Sequence, residues 1–106
     1  MIKIKKVSGD SFRFQLKNAS GTTLLESISF SEEKTAKRSA AALPSLIDQP
    51  GVFERKTDHT GKFLFNIKDT EGKIIGSSPL FYSEAGMENG IRNVVKHLMM
   101  HSGTDL

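Results

Sequence analysis

Shifted by 51 positions, the chain falls onto itself, and no other feature restricts its fold as strongly. Phe12-Arg13-Phe14-Gln15-Leu16-Lys17-Asn18 lies on Phe63-Leu64-Phe65-Asn66-Ile67-Lys68-Asp69, and Gly21 coincides with Gly72 without a gap. Ser27 and Phe30 then match Ser78 and Phe81, and Ala36, Ala40, Leu43 and Ile47 match Met87, Ile91, Val94 and Leu98. Agreement of aromatic, turn and helix positions at one spacing reads as an internal duplication, with a first copy over 1–51 and a second over 52–106.

Each copy predicts the same elements. Large apolar residues alternate in Phe12, Phe14, Leu16 and in Phe63, Phe65, Ile67, the period of a strand with one buried face. Asn18-Ala19-Ser20-Gly21 and Asp69-Thr70-Glu71-Gly72 place Asn or Asp first and Gly last, which predicts a type I turn and a hairpin. Return strands are expected near Thr22 to Phe30 and Lys73 to Phe81, with Pro79 making the second an edge strand or one that ends irregularly. A further strand precedes each hairpin, Ile2 to Val7 and Val52 to Thr57. A helix follows each, with Ser31 and Ser83 as hydroxyl caps and Glu32, Glu33 and Glu84 suited to the positive end of the dipole.

Met87, Ile91, Val94, Val95 and Leu98 form the single stripe of an amphipathic helix, and Gly90 beside it points to close approach of helix and sheet. The first helix has the smaller stripe Ala36, Ala40, Leu43, and Pro44 is expected to end or kink it unless the backbone adjusts. Asp48-Gln49-Pro50-Gly51 is the joint, too short for two independent domains. The expected fold class is therefore α+β: a tandem repeat of two β-β-β-α(-β) units in one domain, sharing one antiparallel sheet with two helices packed on one face.

The 106 residues can bury a core without disulfides or metal, and the absence of cysteine excludes thiol nucleophiles and thiolate metal sites. Met1-Ile2-Lys3-Ile4-Lys5-Lys6 alternates charge with apolar residues, so neither a signal peptide nor a membrane span is expected, and the cytoplasm is the expected location. A net charge of +3 favours acidic partners only mildly.

No residue pattern names an activity. His97 and His101 are four apart but have no third ligand by spacing, so no metal or cofactor is expected. Ser77 and Ser78 lie in no recognisable nucleophile elbow, and their expected role is hydrogen bonding at a strand end. The alternating Phe residues resemble base-stacking platforms, but the two helices need that face as their core. The opposite face carries Lys3, Lys5, Arg13, Gln15, Lys17, Glu54, Lys56, Asn66 and Lys68 and is the first candidate binding surface. The helix surface of Glu88, Asn89, Arg92, Asn93 and Lys96 is the second. These features favour a non-catalytic binding or interaction module using the open sheet face or a sheet edge, with an unidentified protein partner. The alternatives are nucleic-acid binding through the basic face and an enzyme with a site at the junction of the repeats. A chain holding both copies has less need of a second subunit, so a monomeric pseudo-dimer or a weak homodimer is expected.

The strings Gly61-Lys62-Phe63-Leu64-Phe65-Asn66-Ile67-Lys68, Ile75-Gly76-Ser77-Ser78, Tyr82-Ser83 and Met87-Glu88-Asn89-Gly90-Ile91, with Phe53-Glu54-Arg55-Lys56-Thr57, resemble the YegP-like family of small uncharacterised proteins. The resemblance spans nearly the whole chain. It implies an α+β fold in which two β-β-β-α-β units, in tandem or as two subunits, form one antiparallel sheet with exchanged terminal strands and helices on one face. It implies no activity. The first copy has Lys37-Arg38-Ser39-Ala40 where the second has Glu88-Asn89-Gly90-Ile91, so a role for Glu88 and Asn89 belongs to one copy, and the tail His101 to Leu106 is short for an exchanged strand.

Overall fold

In the computed structural model, which describes residues 2–104 and the side chains of residues 2–99, eight elements follow one another. They are β1 (Ile2–Ser8), β2 (Ser11–Lys17), β3 (Thr23–Ser27), α1 (Glu33–Leu46), β4 (Phe53–Thr57), β5 (Phe63–Lys68), β6 (Ile74–Ser77) and α2 (Glu84–Thr104). The strands form one six-stranded sheet in the order β1-β2-β3-β6-β5-β4, antiparallel at every pairing. β3 and β6 meet at its centre, and β1 and β4 are its edges.

The hairpin turns close as their sequences demand. Asn18 Oδ1 accepts from the backbone N–H of Ser20 and Thr22, and Asp69 Oδ1 from Glu71 and Lys73. Gly21 and Gly72 then take φ of 87° and 83°, the left-handed region that glycine enters without steric cost. The return strands are shorter than expected, because the paired ladder stops at Ser27 and Ser77 and resumes only as the single bridges Phe12 to Phe30 and Phe63 to Phe81. At each break a serine replaces the ladder. Ser27 Oγ accepts from Phe14 N–H at 2.9 Å and donates to the Ile28 carbonyl, while Ser78 Oγ accepts from Phe65 N–H at 3.0 Å and donates to the Pro79 carbonyl. β6 is a central strand, which overturns the edge alternative for it. Pro79 instead lies just beyond its irregular end.

Phe14, Leu16, Leu25, Phe65, Ile67 and Ile75 join Ala40, Leu43, Met87, Ile91, Val94 and Leu98 in one core cluster, which places both helices against the same sheet face. Full burial of a Phe, Leu or Ile side chain is worth roughly 1.5–3 kcal/mol each, so this layer is the main source of stability. Phe14 stacks on Phe30 and Phe65 on Phe81, with ring centroids 6.4 and 6.3 Å apart.

The helices differ at their starts. Ser83 Oγ accepts from Gly86 N–H at 3.0 Å and caps α2. Ser31 does not cap α1, whose N-cap is Glu32 without a side-chain cap bond, because the helix begins two residues after Ser31. Pro44 neither interrupts α1 nor sits far from its end: the helix continues through it to Leu46. Gly90 makes the close approach its position implies, since a Cβ there would lie 2.5 Å from Cζ of Phe81. Of the His101 to Leu106 tail, residues 101–104 continue α2 rather than form an exchanged strand, and residues 105 and 106 lie outside those described.

Candidate binding face of the sheet

Strand alternation turns the polar set away from the helices. The register lines up one residue from each strand across the sheet, Lys3, Gln15, Glu26, Ser77, Asn66 and Glu54. On the β6 side this row is a closed chain of hydrogen bonds. Ser77 Oγ donates to Asn66 Oδ1 at 2.6 Å, Asn66 Nδ2 donates to Glu54 Oε1 at 3.1 Å, and Lys68 Nζ lies 3.0 Å from Glu54 Oε2. Asn66 is consequently only 5% exposed although it faces away from the core. The Asn66 amide, followed by Lys68, holds the Glu54 carboxyl below its ordinary value.

On the β3 side the chain is shorter. Gln15 Nε2 donates to Glu26 Oε2 at 2.6 Å, and Arg13 Nη1 donates to the Ser27 carbonyl at 3.2 Å while lying 3.8 Å from Glu26 Oε1. Arg13 Nε is buried and has no acceptor. Between the two networks a groove of about 370 Å³ runs over the β3–β6 seam, with Arg13, Glu26, Ser77, Ile28 and Pro79 among its lining.

The sequence-selected residues thus divide into two surfaces. Lys3, Lys5, Arg13, Lys17, Lys56, Asn66 and Lys68 share the outer sheet face by strand alternation, with Lys3, Lys5 and Lys56 exposed and Arg13, Lys17 and Lys68 half-buried. The face is less basic than lysine positions alone imply, because Glu26 on central β3 and Glu54 on edge strand β4 lie against Arg13 and Lys68. Glu26 is absent from the sequence-based set because Thr23-Leu24-Leu25-Glu26-Ser27 has no strict alternation to fix which way β3 faces. Glu88, Asn89 and Arg92 are on α2, and the structure does not bring them to the outer face.

Glu88 is not an open ligand. Arg55 Nη2 donates to Glu88 Oε1 at 3.0 Å and Arg55 Nε pairs with Glu88 Oε2, a two-pronged bond that lowers the Glu88 pKa and raises that of Arg55. Arg55 is outside the sequence-based candidates, although its parity with Phe53 puts a cation on the helix side of β4. Asn93, Lys96 and His97 line a smaller cavity of about 190 Å³ with Asn18 and Leu24. The side chain of His101 is outside those described. No group of three metal-ligating side chains occurs among the described residues, and no helix there is long and apolar enough to cross a membrane.

Residues 58–98 match a family described as a domain of unknown function, DUF1508. The chain is 36% identical over 92 residues to the UPF0339 protein YegP of Escherichia coli strain K12, covering 87% of this chain and 84% of that protein. It is 32% identical over 91 residues to a UPF0339 protein of Pseudomonas aeruginosa, with 86% and 83% covered. The solution NMR structure of the Escherichia coli yegP protein, of unknown function, superposes with a TM-score of 0.83 at 34% identity, covering 92% of this chain and 84% of that one. A UPF0339 protein structure from Shewanella oneidensis gives 0.83 at 26% identity, with 90% and 80% covered.

Proposed function

The chain belongs to the UPF0339 family of YegP-like proteins, and from that premise we propose that it is a non-catalytic binding module whose ligand sits on the outer sheet face, over the β3–β6 seam. The observation that carries this reading is the polar row crossing all six strands and opening at its centre into the groove beside Arg13 and Glu26. A solvated sheet needs neither a buried asparagine nor two side-chain hydrogen-bond networks flanking a groove on its wet face.

The hydroxyls at the seam support binding over catalysis. Ser27, Ser77 and Ser78 each donate their proton to a carbonyl or amide oxygen rather than to a basic side chain. We further infer that the halves are tandem copies within one domain. Supporting this, the Ser27 and Ser78 bonds, the Phe30 and Phe81 bridges and the two ring stacks recur at one spacing.

The test is a titration of ¹⁵N-labelled protein with a panel of small polar compounds. Shifts concentrated at residues 13, 26–29 and 77–79 are expected, and shifts that never gather there overturn the reading. A second reading, nucleic-acid binding, draws on Lys3, Lys5 and Lys56, the exposed cations of the face. It requires affinity for single- or double-stranded RNA or DNA that falls steeply as salt rises.

A further inference from the structure

The seam groove offers three unlike groups side by side, none fully matched within the protein. Glu26 Oε2 is taken by Gln15, whereas Oε1 has only Arg13 Nη1 at 3.8 Å, beyond hydrogen-bond distance. Ser77 commits its proton to Asn66, which leaves the Oγ lone pairs as acceptors. Arg13 gives one bond to the Ser27 carbonyl out of the five N–H groups of a guanidinium. Its side chain is 37% exposed and that of Glu26 40%, so both reach solvent at the groove.

Charge decides what fits. A lone anion at Arg13 meets the Glu26 carboxylate, and a lone cation at Glu26 meets the guanidinium. A ligand with both charges satisfies each member without opposing the other. The groove, at about 370 Å³, is near the lower end of the roughly 300–1,000 Å³ typical of small-molecule sites. One wall is apolar, made by Pro79 and by Ile28, which is 42% exposed.

We propose, building on the seam as the binding site, that the groove takes a small zwitterion of the aliphatic α-amino-acid class. Its carboxylate pairs with the Arg13 guanidinium, and its ammonium donates to Glu26 Oε1 and Ser77 Oγ. Its aliphatic side chain covers Ile28 and Pro79. The two halves differ here, since Arg13 lies 51 positions from Leu64 and Glu26 the same distance from Ser77, so one chain holds one ligand.

The experiment is a titration of the full ¹⁵N-labelled chain with L-leucine, with isovalerate, which lacks the ammonium, and with isopentylamine, which lacks the carboxylate. Saturable shifts at the Arg13 side-chain Nε–H and the amides of residues 26–29 and 77–79 are expected for L-leucine, with one-to-one stoichiometry. Both single-charge analogues should bind at least tenfold more weakly, as should L-leucine to Arg13→Met and to Glu26→Gln. Spectral dispersion reports whether each variant is folded, and Glu26→Gln keeps the shape of the side chain if Arg13→Met fails to fold. Equal binding of an analogue overturns the zwitterion, as does undiminished binding to a folded variant. If L-leucine is inert while other panel compounds shift the same residues, the zwitterion falls and the seam reading stands. If nothing shifts them, both fall.

Discussion

Arg55 and Glu88 tie the outermost strand β4 to α2 through two parallel bonds, Nη2 to Oε1 at 3.0 Å and Nε to Oε2. They are 33 residues apart in the chain, and β4 has only β5 as a strand neighbour, so this bond is a fastening at an exposed edge. Arg55→Met, which keeps the aliphatic stem, should lower Tm by a few degrees at low salt. Glu88→Gln should do the same, and the double variant should lose less than the sum. Because the side chains are 50% and 35% exposed, the coupling should vanish near 1 M salt, where the Debye length is about 3 Å. A double-mutant cycle by thermal unfolding checks it, and additive losses at low salt would refute the fastening.

Gly90 is set by the Phe81 ring. In an exposed helix, Gly→Ala gains about 1 kcal/mol. Here the added methyl would lie 2.5 Å from Phe81 Cζ, with Phe81 Cε1 and Cε2 at 3.1 and 3.2 Å. Gly90→Ala should therefore destabilise by about 1–3 kcal/mol, the usual cost of overpacking. Adding Phe81→Leu should recover part of that loss, because the shorter side chain vacates the space. Urea unfolding of the single and double variants measures both, and a stabilised Gly90→Ala would show that helix and ring do not meet this closely.

Ser27 substitutes for a strand partner. Its hydroxyl is the acceptor for the buried Phe14 N–H at 2.9 Å, and Ser27 is 2% exposed, so water cannot take its place. Ser27→Ala should cost about 1–3 kcal/mol, the penalty of an orphaned buried donor. Ser78→Ala should cost less, because Ser78 is half-buried and Phe65 N–H can recover a water. Amide hydrogen exchange gives a local readout: the Phe14 amide should lose protection in Ser27→Ala by more than the Phe65 amide does in Ser78→Ala.

What the sequence made legible was local or periodic. The turns at Asn18 and Asp69 follow from one side-chain oxygen and one glycine, and the core from strict alternation around Phe14 and Phe65. The α2 stripe and the tight fit at Gly90 belong to the same kind of signal. The illegible features depend on partners far along the chain. That β3 and β6 become neighbours rests on only two register pairs, Glu26 with Ser77 and Ser27 with Gly76, which no local pattern encodes. The groove arises at that seam. The outer face is less basic than the sequence implies for the same reason, since Glu26 tempers it from a strand whose mixed composition, Thr23-Leu24-Leu25-Glu26-Ser27, does not encode its facing.

The carboxylates set the response to acid. Glu54 is held below its ordinary 4.5 by hydrogen bonds from Asn66 and Lys68, and Glu88 below 4.5 by Arg55. Asp58 is held below 3.8 by the Thr60 hydroxyl and then by backbone N–H groups of its turn. In each case the folded protein binds the proton less readily than the unfolded chain, so stability rises with pH through this range. The contribution is complete above these ordinary values and is lost as pH falls through the lowered folded values. Stability should therefore be flat from about pH 7 to pH 5 and decline below about pH 4.5. Glu54→Gln should be less stable than the parent at neutral pH, with the gap narrowing as pH falls below the ordinary 4.5 and through the lowered folded value, where the parent's own carboxylate takes up its proton. Urea unfolding across this range measures the gap, and a deficit that stays constant with pH would show that the Glu54 charge contributes nothing to the outer-face network.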